Sequence, residues 1–466
     1  MEKWYVLSVG KTLRCMELAS FVVPVDMINV NKEGTLKEIK IALLGFGTVG
    51  QGVYELLQKN KRHLGEKLGL EFNIKKILVR DKAKKRESQA PDELLTTDFK
   101  EILEDKEISI ICELMGGVEP AKTYILSALD KGKLVVTANK AVLAEAGAEI
   151  FELAEKKRIF LGFEASVGGG IPVIKTLREA LIGNQIERVT GIINGTTNYI
   201  LTRMLEQNLS FEKALEEAQN KGYAEADPSL DLRGIDSAHK ISILASLAFG
   251  FYIPYNKVYV EGLDEVDLMD LQFSRDFGYI VKLIAEARKI KNQIEIRVHP
   301  ALLPENHILT SVRFNYNAIL IRGDFVGDIL LYGLGAGKEP TASAVVGDIV
   351  SSAEYLFAKN HPLIPYPKRE EKESFIRPIE EGVFKYYFRF SAVDRPGVLS
   401  KIAGVLGKYG ISIASVVQIG RQKRKGAVPI VMLTHETKEE KVISALKEID
   451  TLDIVKGKTK RLRILD

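Results

Sequence analysis

The sequence predicts an α/β chain of several domains, and three observations carry that prediction. Residues 39–44 (IKIALL) form a short apolar run that opens directly into Gly45-Phe46-Gly47-Thr48-Val49-Gly50, with a periodic apolar helix behind it. Further apolar runs at 74–79, 108–114 and 134–137 alternate with helical patterns, the order of a parallel sheet wound with helices. From residue 386 onward the pattern reads β-α-β-β-α-β, a ferredoxin-like order.

Size and composition fit such a chain. The 466 residues suffice for two to four domains, and 46% hydrophobic with 27% charged residues describes a globular protein. Sixty-six basic and 62 acidic residues leave a formal charge of +4, too close to balance to predict nucleic-acid or membrane binding. Cys15 and Cys112 are the only cysteines and stand far apart, so neither a disulfide framework nor a thiolate metal site is expected. With no apolar run of about 18 residues, the expected location is cytoplasmic. Residues 1–35 read as an N-terminal extension: the apolar stretch 13–25 is interrupted by Glu17 and Pro24, and no small-residue cleavage site follows.

The glycines of the first turn allow the backbone to approach a pyrophosphate, and the helix behind them offers free N–H groups and its positive dipole end. The second strand ends at Arg80, where an acid would bind a ribose 2′-hydroxyl and an arginine accommodates a 2′-phosphate. NADP is therefore expected, with NAD left open because Asp81 follows one residue later. Loops at the carboxyl ends of the next strands hold Met115-Gly116-Gly117 and Ala138-Asn139-Lys140, which places Lys140 by topology at the cofactor crevice, although the residues alone favour an ordinary surface lysine. After a strand at 160–163, the loop from Glu164 through Gly168-Gly169-Gly170 is either a tight turn or an oxygen-lined cation site. A strand at 189–193 leads into Asn194-Gly195-Thr196-Thr197-Asn198, with Thr197 or Asn198 expected to cap the following helix.

The densest chemistry lies in residues 221–240, KGYAEADPSLDLRGIDSAHK. Pro228 and Gly234 keep the loop out of a helix, and Asp236 and Lys240 then share one helical face. Carboxylates beside a lysine suit an amine-bearing substrate and a proton-transfer group, although a solvated acidic loop with a surface ion pair reads equally well from spacing alone. Residues 312–333 read as hairpin strands and 341–357 as a helix. The four prolines of 361–382 mark a linker. In the last segment, strands are expected at 386–393, 411–419, 429–434 and 452–456, with helices at 394–409 and 438–449.

Six motifs, in order, resemble homoserine dehydrogenase: GFGTVG, VVTANKAVLA, GFEASVGGGIP, GIINGTTNYIL, KGYAEADPSLDLRGIDSAHK and YGLGAGKEPTASAVVGDI, covering about residues 39–360. The resemblance implies hydride transfer between L-homoserine and L-aspartate 4-semialdehyde, on the way to threonine and methionine. It implies a Rossmann domain at 36–160 completed by a helix at about 341–358, and an α+β substrate domain at 161–340 whose mixed sheet forms a dimer interface. Catalysis is carried onto Lys240 and Lys140. Binding of the homoserine ammonium falls on Glu225 and Asp236, with Asp231 nearby. Gly45, Phe46, Gly47, Thr48, Val49, Gly50, Arg80, Lys140, Gly222 and Gly337 would touch the cofactor, and Glu164, Val167, Gly169 and Ile171 would hold a monovalent cation, sodium. Lys338 departs from the uncharged residue expected in GLGAGKEPT; near the cofactor phosphates it would bias binding towards NADP or slow turnover.

Residues 384–466, opening on DRPGVL, resemble an ACT domain joined by a linker at 361–383. That resemblance implies an amino-acid effector, threonine, at Asp394, Gly397, Val398 and Gln418, bound where two such domains pair in a homodimer or tetramer; a purely structural dimerisation module is the alternative. Crowding of Lys240 by Lys140 and partial burial are expected to lower a lysine pKa toward working pH. Two other functions compete. A histidine-dependent 2-hydroxyacid dehydrogenase finds none of the six histidines in a suitable motif, and a non-catalytic NADP-binding sensor leaves the lysines and acids without a purpose.

Overall fold

The computed structural model describes residues 36–264, 266–357, 364–369, 376–418 and 427–465. The N-terminal extension, Cys15 and parts of the expected linker lie outside the described residues.

In chain order the strands are β1 Lys37–Leu44, β2 Leu70–Leu78, β3 Leu95–Thr96, β4 Ile108–Glu113, β5 Leu134–Thr137, β6 Leu161–Gly162, β7 Ile186–Ile192, β8 Tyr259–Val260 and β9 Tyr279–Ile290. They continue with β10 Gln293–Pro304, β11 Tyr316–Gly323, β12 Gly327–Leu334, β13 Val383–Val393, β14 Ile413–Val417, β15 Ala427–Thr434, β16 Thr437–Lys438 and β17 Lys460–Ile464. The first six form a parallel sheet in the order β3-β2-β1-β4-β5-β6, with its reversal point at the glycine turn after β1. The second half of β1, residues 41–44, is a continuous buried apolar run because helices cover both faces of the sheet. The helix Lys338–Phe357 returns from the middle of the chain to pack on the helix Thr48–Lys59; a Cβ at Gly52 would stand 2.9 Å from the Lys338 carbonyl. The expected first domain stopped at residue 160, whereas β6 is the sixth strand of its sheet.

The remaining strands form one eleven-stranded sheet, whose main path is β12-β11-β7-β9-β10-β17-β13-β15-β14. The last four strands of that path are the ferredoxin-like unit, and β17 pairs in parallel with β10, Ala301 opposite Arg463. The C-terminal unit thus continues the sheet of the middle domain. Strand β13 serves two cores by its alternation: Tyr386, Phe388 and Phe390 face the helices Val398–Lys408 and Glu439–Ile449, while Tyr387 joins the main core.

Two expectations are corrected here. The last strand is β17 and not residues 452–456, which form turns and a single bridge between Val455 and Ala392. Arg461 and Arg463 give β17 a charged appearance, yet Arg463 is 1% exposed because carboxylates meet it inside. The described pieces of the linker are also packed and not free. Tyr366 is buried with its hydroxyl accepting from the Leu161 amide at 2.8 Å, and Lys368 and Ile376 form bridges to Phe251 and Ile294.

Candidate active site

Two local structures bring the predicted lysines together. The helix Lys140–Lys157 starts at the carboxyl end of β5, where the Asn139 side chain accepts from the Val142 amide at 3.2 Å and caps it. The same side chain donates to the Gly117 carbonyl at 2.6 Å, tying the two crevice loops to each other. Beneath them Glu113 is buried, accepting from Thr137 and from the Met115 amide. Burial outweighs those bonds and raises its carboxyl pKa. The helix Ile235–Phe249 begins after Gly234, whose φ of +79° supplies the sharp turn into it.

Asp236 lies between the lysines. Its Oδ1 is 3.0 Å from the Lys140 ammonium and its Oδ2 accepts from Lys240 at 2.7 Å and from Asn194 at 2.9 Å. Burial pushes this carboxyl up, but the Lys240 and Lys140 charges with the bonds from Lys240 and Asn194 outweigh it, holding Asp236 well below the usual carboxylate range. Asp236 in turn raises Lys140 against the opposing effect of burial, with Asp231 and Glu225 adding to the rise. A carboxylate thus separates the two cations.

Lys240 also donates to the Ile193 carbonyl at 2.7 Å, so two of its three N–H groups are spent. Its side chain is 10% exposed and that of Lys140 is 42% exposed, so the pair is rooted in protein at one end and open to the crevice at the other. Asp231 is fixed by Asn194 at 2.7 Å and Thr196 at 2.9 Å, whereas the exposed Glu225 carboxylate makes no hydrogen bond among the described residues.

Asn194 is the residue the sequence reasoning undervalued. It was expected only within a polar cluster, and Thr197 or Asn198 as the cap. Instead the Asn194 Oδ1 caps the helix Gly195–Gln207, accepting from the Thr197 amide at 2.9 Å, while its amide holds both Asp231 and Asp236. Its place directly after a β-strand was the available signal. Glu113 had none, since one acid in an apolar run says nothing of its neighbours.

The nucleotide end is built from the glycine turn. Gly45 has φ of +106°, and a Cβ at Gly50 would stand 2.4 Å from the Gly45 carbonyl, so neither position admits a side chain. Gly47 and Thr48 are exposed at the helix start and Phe46 is buried, with the Arg86 guanidinium 5.9 Å from its ring. Arg80 is exposed and donates to no described residue, while the Asp81 carboxylate is turned onto the Ala83 amide at 2.8 Å. Lys338 is neutralised, with Glu55 at 2.8 Å and Glu87 at 3.5 Å. Gly222 and Gly337 both have positive φ, +71° and +124°.

The glycine loop after β6 meets the turn after β12: a Cβ at Gly169 would stand 2.6 Å from Gly335, and the Gly170 amide donates to the Leu334 carbonyl. Both Glu164 carboxylate oxygens accept backbone amides, of Ile174 and Lys175, each at 2.8 Å. The carbonyls of Val167 and Gly169, both buried residues, receive no hydrogen bond among the described residues. In the C-terminal unit Gly397, φ +88°, starts a helix; Asp394 and Gln418 are exposed and Val398 is buried.

The chain is similar to known proteins over most of its length. The family model for homoserine dehydrogenase matches residues 172–350, that for the homoserine dehydrogenase NAD-binding domain residues 45–164, and that for the ACT domain residues 386–451. A homoserine dehydrogenase of Neisseria gonorrhoeae is 41% identical over 92% of this chain and 99% of its own, and one from Synechocystis matches equally. A solved homoserine dehydrogenase from Thiobacillus denitrificans superposes with a TM-score of 0.86 at 42% identity, over 93% of this chain and 99% of that one. A hyperthermophilic archaeal homoserine dehydrogenase mutant in complex with NADPH gives 0.59 at 30% identity, over 70% and 100%.

Proposed function

The chain belongs to the homoserine dehydrogenase family, an NAD(P)-dependent oxidoreductase acting on a CH–OH group, and from that premise we propose how its own residues carry the reaction. The arrangement of Lys140 and Lys240 on the two oxygens of Asp236 carries the proposal. A bound nicotinamide supplies the hydride acceptor or donor. Lys240 keeps one N–H for the substrate oxygen and exchanges the proton there as hydride moves. Lys140, held charged by Asp236, stabilises the developing alkoxide.

Asp236 was expected to hold the homoserine ammonium, yet both its oxygens serve the lysines. We assign the ammonium to Glu225, whose carboxylate is open, with Asp231 steadied by Asn194 and Thr196 as its neighbour. NADP is the proposed coenzyme, supported by Arg80, which has no partner among the described residues, and by the Asp81 carboxylate being engaged in its own turn. A monovalent cation, sodium, suits the loop of Glu164, Val167, Gly169 and Ile171, on the strength of the two buried carbonyls without donors. An ACT domain implies an amino-acid effector, for which we propose L-threonine at Asp394, Gly397, Val398 and Gln418. Homodimer formation through the middle-domain sheet is supported by its exposed apolar end, where Phe325 is 91% exposed and Tyr316 stacks on Tyr332. No helix among the described residues is long and apolar enough to cross a membrane, and we place the enzyme in the cytoplasm.

The test is cofactor reduction with L-homoserine, followed by nicotinamide absorbance with NADP and with NAD. Turnover with homoserine and none with simple 2-hydroxy acids is the expected result; the reverse selectivity rejects the assignment.

A further inference from the structure

A cleft of about 500 Å³ lies between the C-terminal unit and the middle domain, lined by neither the lysine pair nor the DRPGVL turn. One wall carries Glu261, Gly262, Asp264, Val266 and Asp270; the other is formed by the helix Glu439–Ile449 with strand β17. Most charges on these walls are already matched. Glu261 is held by Arg461 and Arg463, Asp270 by Arg389 and Tyr387, and Asp450 by the amide and hydroxyl of Thr459. Three are not: among the described residues Asp264, Lys447 and Lys460 have no ion pair or side-chain hydrogen bond. Ile443, 43% exposed, and Leu446 supply an apolar floor beside Lys447.

Opposite unmatched charges on two walls, with a small apolar floor, match the chemistry of a zwitterionic α-amino acid. The ammonium would go to Asp264, the carboxylate to Lys447 and Lys460, and a short side chain to Ile443 and Leu446. We propose that this cleft is an effector site for a small neutral α-amino acid, separate from the one at the ACT opening turn. The proposal rests on the assignment of the chain as an amino-acid-regulated homoserine dehydrogenase.

The wall that the ligand would grip leads to the active site. The Leu263 amide donates to the Leu232 carbonyl at 2.8 Å, a Cβ at Gly262 would stand 2.5 Å from that carbonyl, and a Cβ at Gly234 would stand 3.0 Å from Val260. Residues 232–235 connect Asp231 to Asp236, so backbone contacts join the cleft wall to the carboxylate that holds both lysines. A ligand that moves residues 261–264 by a few tenths of an ångström displaces that connection, since backbone at contact distance cannot absorb the shift.

The experiment is calorimetric titration of the NADP-saturated full chain with L-threonine, L-isoleucine and L-methionine, alongside homoserine oxidation. The variants are Lys447→Glu, Asp264→Lys and, at the other site, Asp394→Ala. One amino acid is expected to bind the parent such that Lys447→Glu and Asp264→Lys each abolish one binding event or weaken it at least about tenfold, the loss of one charge-assisted bond. Asp394→Ala should leave that event intact. Unchanged stoichiometry and affinity in both charge reversals overturn the proposal, and so does a parent that binds none of the three. Failure of homoserine oxidation in the parent would instead count against the functional assignment, because the binding heats are read independently of turnover.

Discussion

Two clusters of buried charge, one at the lysine pair and one at the seam with the C-terminal unit, are built from the same kinds of residue and differ in one respect. At the seam, Arg463 donates to Glu439 at 2.9 and 2.7 Å and to Glu261 at 2.6 Å, and Arg461 bridges the same two carboxylates. Tyr386 completes Glu439, and the set is closed. At the crevice, Asp236 is equally saturated, yet Lys240 keeps a donor and Lys140 reaches into the open. Burial and charge are common to both. The unused donor is what separates a site that can act on a ligand from one that only holds two domains together.

The comparison predicts opposite responses to losing a cation. Lys240→Ala should reduce kcat by about 10²–10⁴-fold with NADP binding retained; a kcat equal to the parent's removes Lys240 from the mechanism. Arg463→Ala should instead cost about 3–5 kcal/mol of stability by removing the buried partner that Glu261 and Glu439 share, leaving only the more exposed Arg461 on them, read from the denaturant midpoint. A loss of kcat without a loss of stability there would erase the distinction between the clusters.

The seam should also carry a pH signature. Burial raises the Glu261 carboxyl, but Arg463 and Arg461 outweigh it and hold it down to about 2. A depressed carboxylate contributes stability that is complete above its unfolded pKa, about 4.3, and is lost as pH falls through its folded value. The Tm difference between the parent and Glu261→Gln should therefore shrink from pH 5 towards about pH 2; a constant gap across that window rejects the ion-pair account. The smallest effect is expected at Arg80, an open cation at the crevice rim. Arg80→Ala should raise the Kd for NADP about tenfold more than that for NAD, and an unchanged ratio refutes the 2′-phosphate role.

Much of this was legible beforehand. The strand, glycine turn and helix at residues 39–59 are a local pattern with a mechanical reason for its spacing, whereas the lysines at 140 and 240 and the acids between 225 and 236 drew their roles from the family resemblance. What was misread lies where a long-range partner overrode the local signal. Residues 452–456 are apolar enough for a strand but form turns, while the alternating Lys460–Ile464 becomes a strand because Glu261 and Glu439 neutralise its arginines from elsewhere in the chain. Asn194 is likewise indistinguishable from its polar neighbours until Asp231 and Asp236, some forty residues on, are folded against it.

By itself, then, the sequence determined the order of the domains and the strand, glycine turn and helix at residues 39–59, because each depends on residues within one or two turns of chain. The tertiary structure alone decided that Asp236 stands between the two lysines, that Lys338 pairs with Glu55 and Glu87, and that the C-terminal unit extends the middle sheet through β10 and β17. A charge has no fixed role until its nearest opposite charge is known, and that neighbour is chosen by folding over long separations.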